Sequence, residues 1–219
     1  MRLPRPASVI VTVCAALTAT LLLPFSRDDA VTPADGDRRL VGSLLTEVRT
    51  APRRIHVLGY DRSHFGGWAS AVTAEGALCT TREIVLLTTF ATASPSPAGD
   101  TSCPTADGTA TDVYTGGLIS PSQVEIDHVV PLAAAWDHGA HAWDRATRIA
   151  FANDVDRNLL AVSADANQSK SDGTPAEWLP PADGPAPCAY VARYLAVSVH
   201  YGLSISAADA DAARRTCRL

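Results

Sequence analysis

Asp127 and His128 stand side by side in the otherwise apolar run Val124-Glu125-Ile126-Asp127-His128-Val129-Val130-Pro131-Leu132, with Asn158, Asn167 and Lys170 further along. An imidazole, with an ordinary pKa near ~6.5, takes a proton from water at physiological pH. A carboxylate and an amide oxygen suit a hard cation such as Mg²⁺, which keeps several of its waters. Lys170 is the one lysine of the chain and falls one helical turn after Asn167. Its ammonium either meets a phosphate or lies on a solvated helix surface. Phosphodiester cleavage needs such a set: an activated water, a cation on the phosphate and leaving oxygen, and fixed geometry.

The elements around these residues must bring them together. Alternation puts Asp127 and His128 on opposite faces of an ideal strand, so both reach one site only where the strand ends or bends. Pro131 supports a break there. Asn158 to Ser163 reads as a second short strand, and Ala164 to Gly173 as a helix stopping at the glycine. Upstream, Leu40, Leu44, Leu45 and Val48 predict an amphipathic helix over Arg38–Thr50, closed by Pro52. Tyr60 to Trp68 reads as a loop, Glu83 to Phe90 as a buried helix or strand, and residues 91–110 as an irregular surface loop tied by Cys103. Pro180 to Pro187 is a rigid connection, and two helices close the chain, over Cys188–Tyr201 and Ser206–Cys217, the latter opening on a capping serine.

Asp-His, a gap, then Asn and Asn-x-x-Lys resembles the HNH nuclease motif, including the variant of RNA-guided CRISPR nucleases that ends in Asn and continues Lys-Ser-Asp. A closer resemblance is to exported bacterial HNH proteins related to the C-terminal domain of GmrSD-type restriction endonucleases. It is carried by Ile126 to Leu132, Ala135-Trp136, Phe151 to Asp154, Asn167 to Lys170, Trp178 to Pro181, Tyr60/Arg62/Phe65 and Cys79 to Arg82. The likeness covers roughly residues 55–217. The resemblance implies an α+β fold with a ββα-metal core, residues 124–178, inside a mostly helical single domain. It implies His128 as general base, Asp127 and Asn167 as metal ligands, and Asn158 as a brace between the strands. The implied cofactor is a divalent cation, Mg²⁺ first with Mn²⁺ as a substitute, and the implied partner is nucleic acid, DNA before RNA. Lys170 joins the candidate catalytic set. Arg62 and Arg82 are candidate substrate-binding residues, with ion pairing as the alternative.

A net charge of −5, from 18 Lys+Arg against 23 Asp+Glu, excludes holding nucleic acid by bulk electrostatics. At 47% hydrophobic and 19% charged, the chain is too apolar for a disordered one. Arg2 and Arg5 before the apolar run Val9–Phe25 read as an export signal or retained signal-anchor over residues 1–25, followed by a linker over 26–37 and the nuclease domain over 38–219. Export leaves Cys79, Cys103, Cys188 and Cys217 as two disulfides; sequential pairing closes the shortest loops, and a four-thiolate zinc site is the rival. His138 and His141, at i and i+3, suggest zinc if helical, although Gly139 between them favours a turn. Trp136, Trp143 and Trp178 read as core. No nucleotide-phosphate loop or Gly-x-Ser-x-Gly is present. The expectation is an exported, monomeric, metal-dependent endonuclease. The alternatives are a non-catalytic binding module on the same scaffold and a zinc-dependent extracellular hydrolase.

Overall fold

A computed structural model describes residues 35–90, 92–94, 101–181 and 187–219. The expected signal at 1–25 and the linker as far as residue 34 lie outside the described residues, as do residues 182–186 of the proline-rich connection. The described residues form one α+β domain of seven α-helices and five two-stranded sheets.

The first helix, α1 (Asp35–Glu47), starts three residues before the expected boundary and ends earlier, because Arg49–Ala51 is drawn into a strand, β1. β1 pairs in parallel with β10 (Ser204–Ser206) near the C-terminus. α1 buries Val41 and Leu44 in the main core, which it shares with α6 (Pro187–His200) and α7 (Ala207–Cys217). Ser206 and Asp209 form a reciprocal capping box at the start of α7, so the polar ends of that helix are satisfied inside the fold.

A hairpin of β2 (Ser70–Val72) and β3 (Leu78–Thr80) leads into α2 (Thr81–Thr89). The Thr80–Glu83 capping box starts this helix, which resolves the helix-or-strand ambiguity at 83–90. The stretch expected as an irregular loop carries β4 (Thr92–Ser94) paired with β5 (Thr105–Asp107). Its small polar residues hide the pairing from a periodicity reading, because neither strand has an apolar face to declare it. β6 (Ala110–Thr111) and β7 (Leu118–Ile119) form a further short pair.

The part that matters for chemistry follows. β8 (Val124–His128) pairs antiparallel with β9 (Leu159–Ser163), with Asp127 opposite Leu160 and His128 opposite Leu159. Between the strands lie α3 (Leu132–Asp137) and α4 (Arg145–Ala152), and α5 (Ala164–Lys170) follows β9 without a loop. This is the expected strand–strand–helix unit. A second, smaller apolar cluster packs α2 against the β8–β9 pair through Val85, Ile126 and Leu159. Cys79–Cys103 and Cys188–Cys217 are disulfides, as the sequential pairing expected, and the four-thiolate zinc alternative is excluded.

Candidate active site

β8 ends at His128, where the alternation argument required it, and it is covered by different elements on its two faces. α5 crosses one face. There Lys170 Nζ donates to Asp127 Oδ1 at 2.9 Å and to the His128 carbonyl at 2.8 Å. Tyr114 donates its hydroxyl to Asp127 Oδ2 at 2.6 Å. Glu125, two residues before Asp127 and so on the same face, accepts from Asn167 Nδ2 at 2.7 Å and Gln168 Nε2 at 3.0 Å. These bonds hold the Glu125 carboxyl below its usual range, the Asn167 contact first.

The other face meets the end of α4. His128 Nε2 lies 2.9 Å from the Ala152 carbonyl oxygen, which can only accept, so the proton sits on Nε2 and the lone pair on Nδ1. The imidazole stacks on Trp68 with ring centres 5.8 Å apart and planes 4° from parallel. His128 is 6% exposed, and burial lowers its pKa to about 4, so the ring is neutral at ordinary pH. Asp127 is 4% exposed; burial pushes its carboxyl up, opposed by Lys170 and the Tyr114 hydroxyl.

Asn158 is wholly buried at the base of the connection. Its Oδ1 accepts from Val130 N–H at 2.9 Å, its Nδ2 donates to the Phe151 carbonyl at 3.3 Å, and its own carbonyl accepts from Val129 N–H at 2.8 Å. One side chain therefore ties the exit of β8 to the end of α4. Gly173 closes the C-terminal turn of α5 under Trp178: a Cβ there would lie 2.9 Å from the Lys170 carbonyl oxygen. Asp112, wholly buried, accepts from Tyr114 N–H, Thr115 and Ser163 N–H, fixing Tyr114 beside the β9–α5 corner.

Glu125, Asp127, His128 and Asn167 share an open cleft of about 770 Å³ with Arg54, His56, Tyr60 and Arg62. Arg54 binds Asp137, Asp172 and Glu177 and so pins the opposite wall. Arg62 is exposed on this cleft. Arg82 is half-buried on α2, its charge felt by Glu125, and does not line the cleft. Lys170 requires a correction. Neither a phosphate contact nor a solvated surface residue, its side chain is 0% exposed and paired with Asp127. The Asp127 carboxylate needs a counter-charge where water is excluded, and a lysine on the facing helix supplies it.

His138 and His141 do not converge on a ligand set. His138 Nδ1 lies 3.3 Å from Ser204 Oγ, and His141 Nδ1 donates to the Trp136 carbonyl at 2.8 Å. Among the described residues no three His, Cys, Asp or Glu side chains gather as a metal group. The zinc-hydrolase alternative therefore has no site. Trp136 is buried in the main core, and Trp143 and Trp178, partly buried, pack against it.

Three contributors escaped the sequence reading. Glu125 had a signal in its period-two spacing from Asp127. Trp68 and Tyr114 had none: Trp68 comes from a loop remote in sequence from the strand it touches, and Tyr114 from an aperiodic turn that precedes it.

A family model for the C-terminal domain of GmrSD restriction endonucleases matches residues 87–213, more than half of the chain and the whole of this site except the wall from residues 54–68. The chain belongs to that family. A member by this measure, it is also 36% identical over 156 residues to a protein of Arthroderma benhamiae described as an uncharacterized secreted protein, covering 70% of this chain and 72% of that one. No solved structure matches. The secreted relative and the two disulfides agree with an oxidising, extracytoplasmic setting for this GmrSD C-terminal-type domain.

Proposed function

We propose that the protein is an exported, divalent-metal-dependent endonuclease that hydrolyses phosphodiester bonds in nucleic acid, DNA before RNA. The observation that carries the reading is the fixed tautomer of His128. With Nε2–H donated to Ala152, Nδ1 keeps its lone pair, and with His128 lining the cleft this nitrogen is the one to accept the proton of the attacking water. Burial keeps the ring neutral, so no prior deprotonation is needed.

The oxygen donors fit a hard cation. Asn167 gives its amide N–H to Glu125, which leaves Oδ1 for a cation, and Asp127 spends one lone pair of each oxygen on Lys170 and Tyr114. Asp127 and Asn167 would hold the ion, with Glu125 orienting Asn167. When bound, the ion neutralises charge on the scissile phosphate and the leaving 3′-oxygen. Lys170 offsets the Asp127 charge, so Asp127 and Asn167 together would offer a hard cation oxygen donors with little net negative charge. Arg62 and His56 on the opposite wall meet neighbouring phosphates. The Glu125 carboxylate repels a polyanion, and a bound cation would offset that repulsion.

The test is supercoiled plasmid and a structured RNA incubated with the protein in Mg²⁺, Mn²⁺ or EDTA, beside His128→Ala. Nicking by the parent in Mg²⁺ or Mn²⁺, absent in EDTA and lowered about 10²–10⁴-fold in His128→Ala, is the expected result. Binding without cleavage in any divalent ion would leave the non-catalytic binding module as the answer.

A further inference from the structure

We infer that Trp68, clamped by Asn153, is the positioning residue of the His128 imidazole, an assignment that rests on the nuclease reading of the site. A single hydrogen bond from Nε2 to the Ala152 carbonyl fixes where that edge of the ring points but tolerates tilting of the ring plane within the play of its side-chain torsions. A flat neighbour removes that tilt. Trp68 is such a neighbour, with its ring plane 4° from that of the imidazole.

Trp68 is itself held from the same place. Asn153 follows Ala152 at the end of α4, and its Oδ1 accepts from Ala69 N–H at 2.8 Å while its Nδ2 donates to the Gly67 carbonyl at 3.2 Å. Its amide thus grips the backbone on both sides of Trp68. Nδ2 also reaches the Ile149 carbonyl at 3.0 Å, which seats the Asn153 side chain on the last turn of the helix. Gly66 makes the approach feasible: at φ +72° it sits against α4, where a Cβ would come within 3.1 Å of Ile149 Cγ1. Both restraints on the imidazole, edge and face, therefore originate at consecutive residues of one rigid helix end. Trp68, Arg62 and His128 also line a recess of about 100 Å³ beside the cleft, so substrate contact by Trp68 is the alternative the experiment has to separate.

The tilt to be restrained is small but consequential, since misplacing a reacting group by about 1 Å costs on the order of 10²-fold in rate. The experiment measures kcat and KM on plasmid or a short duplex for the parent and for Trp68→Phe, Trp68→Leu and Asn153→Ala. It also records the ring-proton NMR shifts of His128 in each, assigned by difference from His128→Gln. Trp68→Leu and Asn153→Ala should lower kcat about 10–100-fold with KM within about twofold, and Trp68→Phe should restore most of the rate. The His128 ring protons should lie upfield in the parent, shift partly in Trp68→Phe and lose the displacement in the other two.

Unchanged kcat in Trp68→Leu overturns the inference, and so does a rise in KM with kcat held, which assigns Trp68 to substrate. His128 shifts indifferent to every substitution overturn it as well. If the parent cleaves nothing, the nuclease reading fails by itself, and the NMR arm alone still decides whether Trp68 and Asn153 fix the ring. If Trp68→Leu does not fold, Trp68→Phe against Asn153→Ala carries the comparison.

Discussion

The environment of His128 departs from what its type suggests. An exposed histidine titrates near ~6.5, whereas burial between Trp68 and the end of α4 lowers this one to about 4. The sign of the consequence follows from linkage. Between those two values the unfolded chain binds the proton and the folded protein does not, so this group's contribution is full above about pH 6.5 and is lost as pH falls towards 4. A difference of that size corresponds to about 3 kcal/mol. Urea unfolding of the parent between pH 7 and 4 should therefore show a steeper loss of stability than His128→Gln, which has no proton to bind. Parallel curves for the two proteins would mean that the ring is solvated. In activity, a neutral imidazole at pH 5 removes base protonation as the cause of any fall in rate near pH 6.

The helix α5 is joined to strand β8 through two groups of polar contacts, Asn167 and Gln168 with Glu125, and Lys170 with Asp127 and the His128 carbonyl. Burial distinguishes them. Lys170 Nζ lies in the protein interior, and removing it leaves the Asp127 carboxylate with hydrogen bonds but without its counter-charge. Lys170→Met should cost about 3–5 kcal/mol in denaturant unfolding, the scale of a broken buried pair. Asp127→Asn combined with Lys170→Met should recover a large part of that loss, because no charge then remains without a partner. A surface lysine would change stability by less than about 0.5 kcal/mol, so a small effect of Lys170→Met would refute the buried pairing. Asn158 does for the long connection what Lys170 does for the helix, with neutral bonds in place of a charge.

Across the whole molecule, the two disulfides sit away from the cleft. Cys188–Cys217 joins α6 to α7 within the main core, and Cys79–Cys103 ties the region around β3 to the chain before β5. Neither bridge includes a residue that lines the cleft. Loops of 29 and 24 residues predict about 3–4 kcal/mol of stabilisation from each bridge. Replacing either pair by Ala should lower the midpoint of thermal unfolding while cleavage at low temperature stays near the parent rate. Loss of activity in a variant that remains folded would show that the bridges also set the site. The α1, α6 and α7 assembly, closed by the β1–β10 pair, thus acts as a frame for the strand–strand–helix unit.

The types and order of Asp127, His128, Asn158 and Asn167 are local facts, and local facts are what a sequence carries. Strand β8 ending near Pro131, strand β9, the short helix α5 and the sequential disulfides follow from alternation, capping and loop length, each decided within a few residues or by counting. The surroundings of these side chains were decided elsewhere. Lys170 looks like a surface cation in the sequence because nothing local says that α5 lies against β8. Only the packing of that helix buries its ammonium against Asp127. Trp68 reaches the strand from a loop held by Asn153, a side chain distant in sequence, and Tyr114 from a turn closed by its near neighbour Asp112, which in turn is tied to the remote Ser163. A proton's place on His128 depends in the same way on a carbonyl 24 residues away. Contacts between distant segments leave no periodicity in either segment, so the identities of the candidate groups were legible in the sequence, and their ionisation, tautomer and restraint came from the tertiary structure.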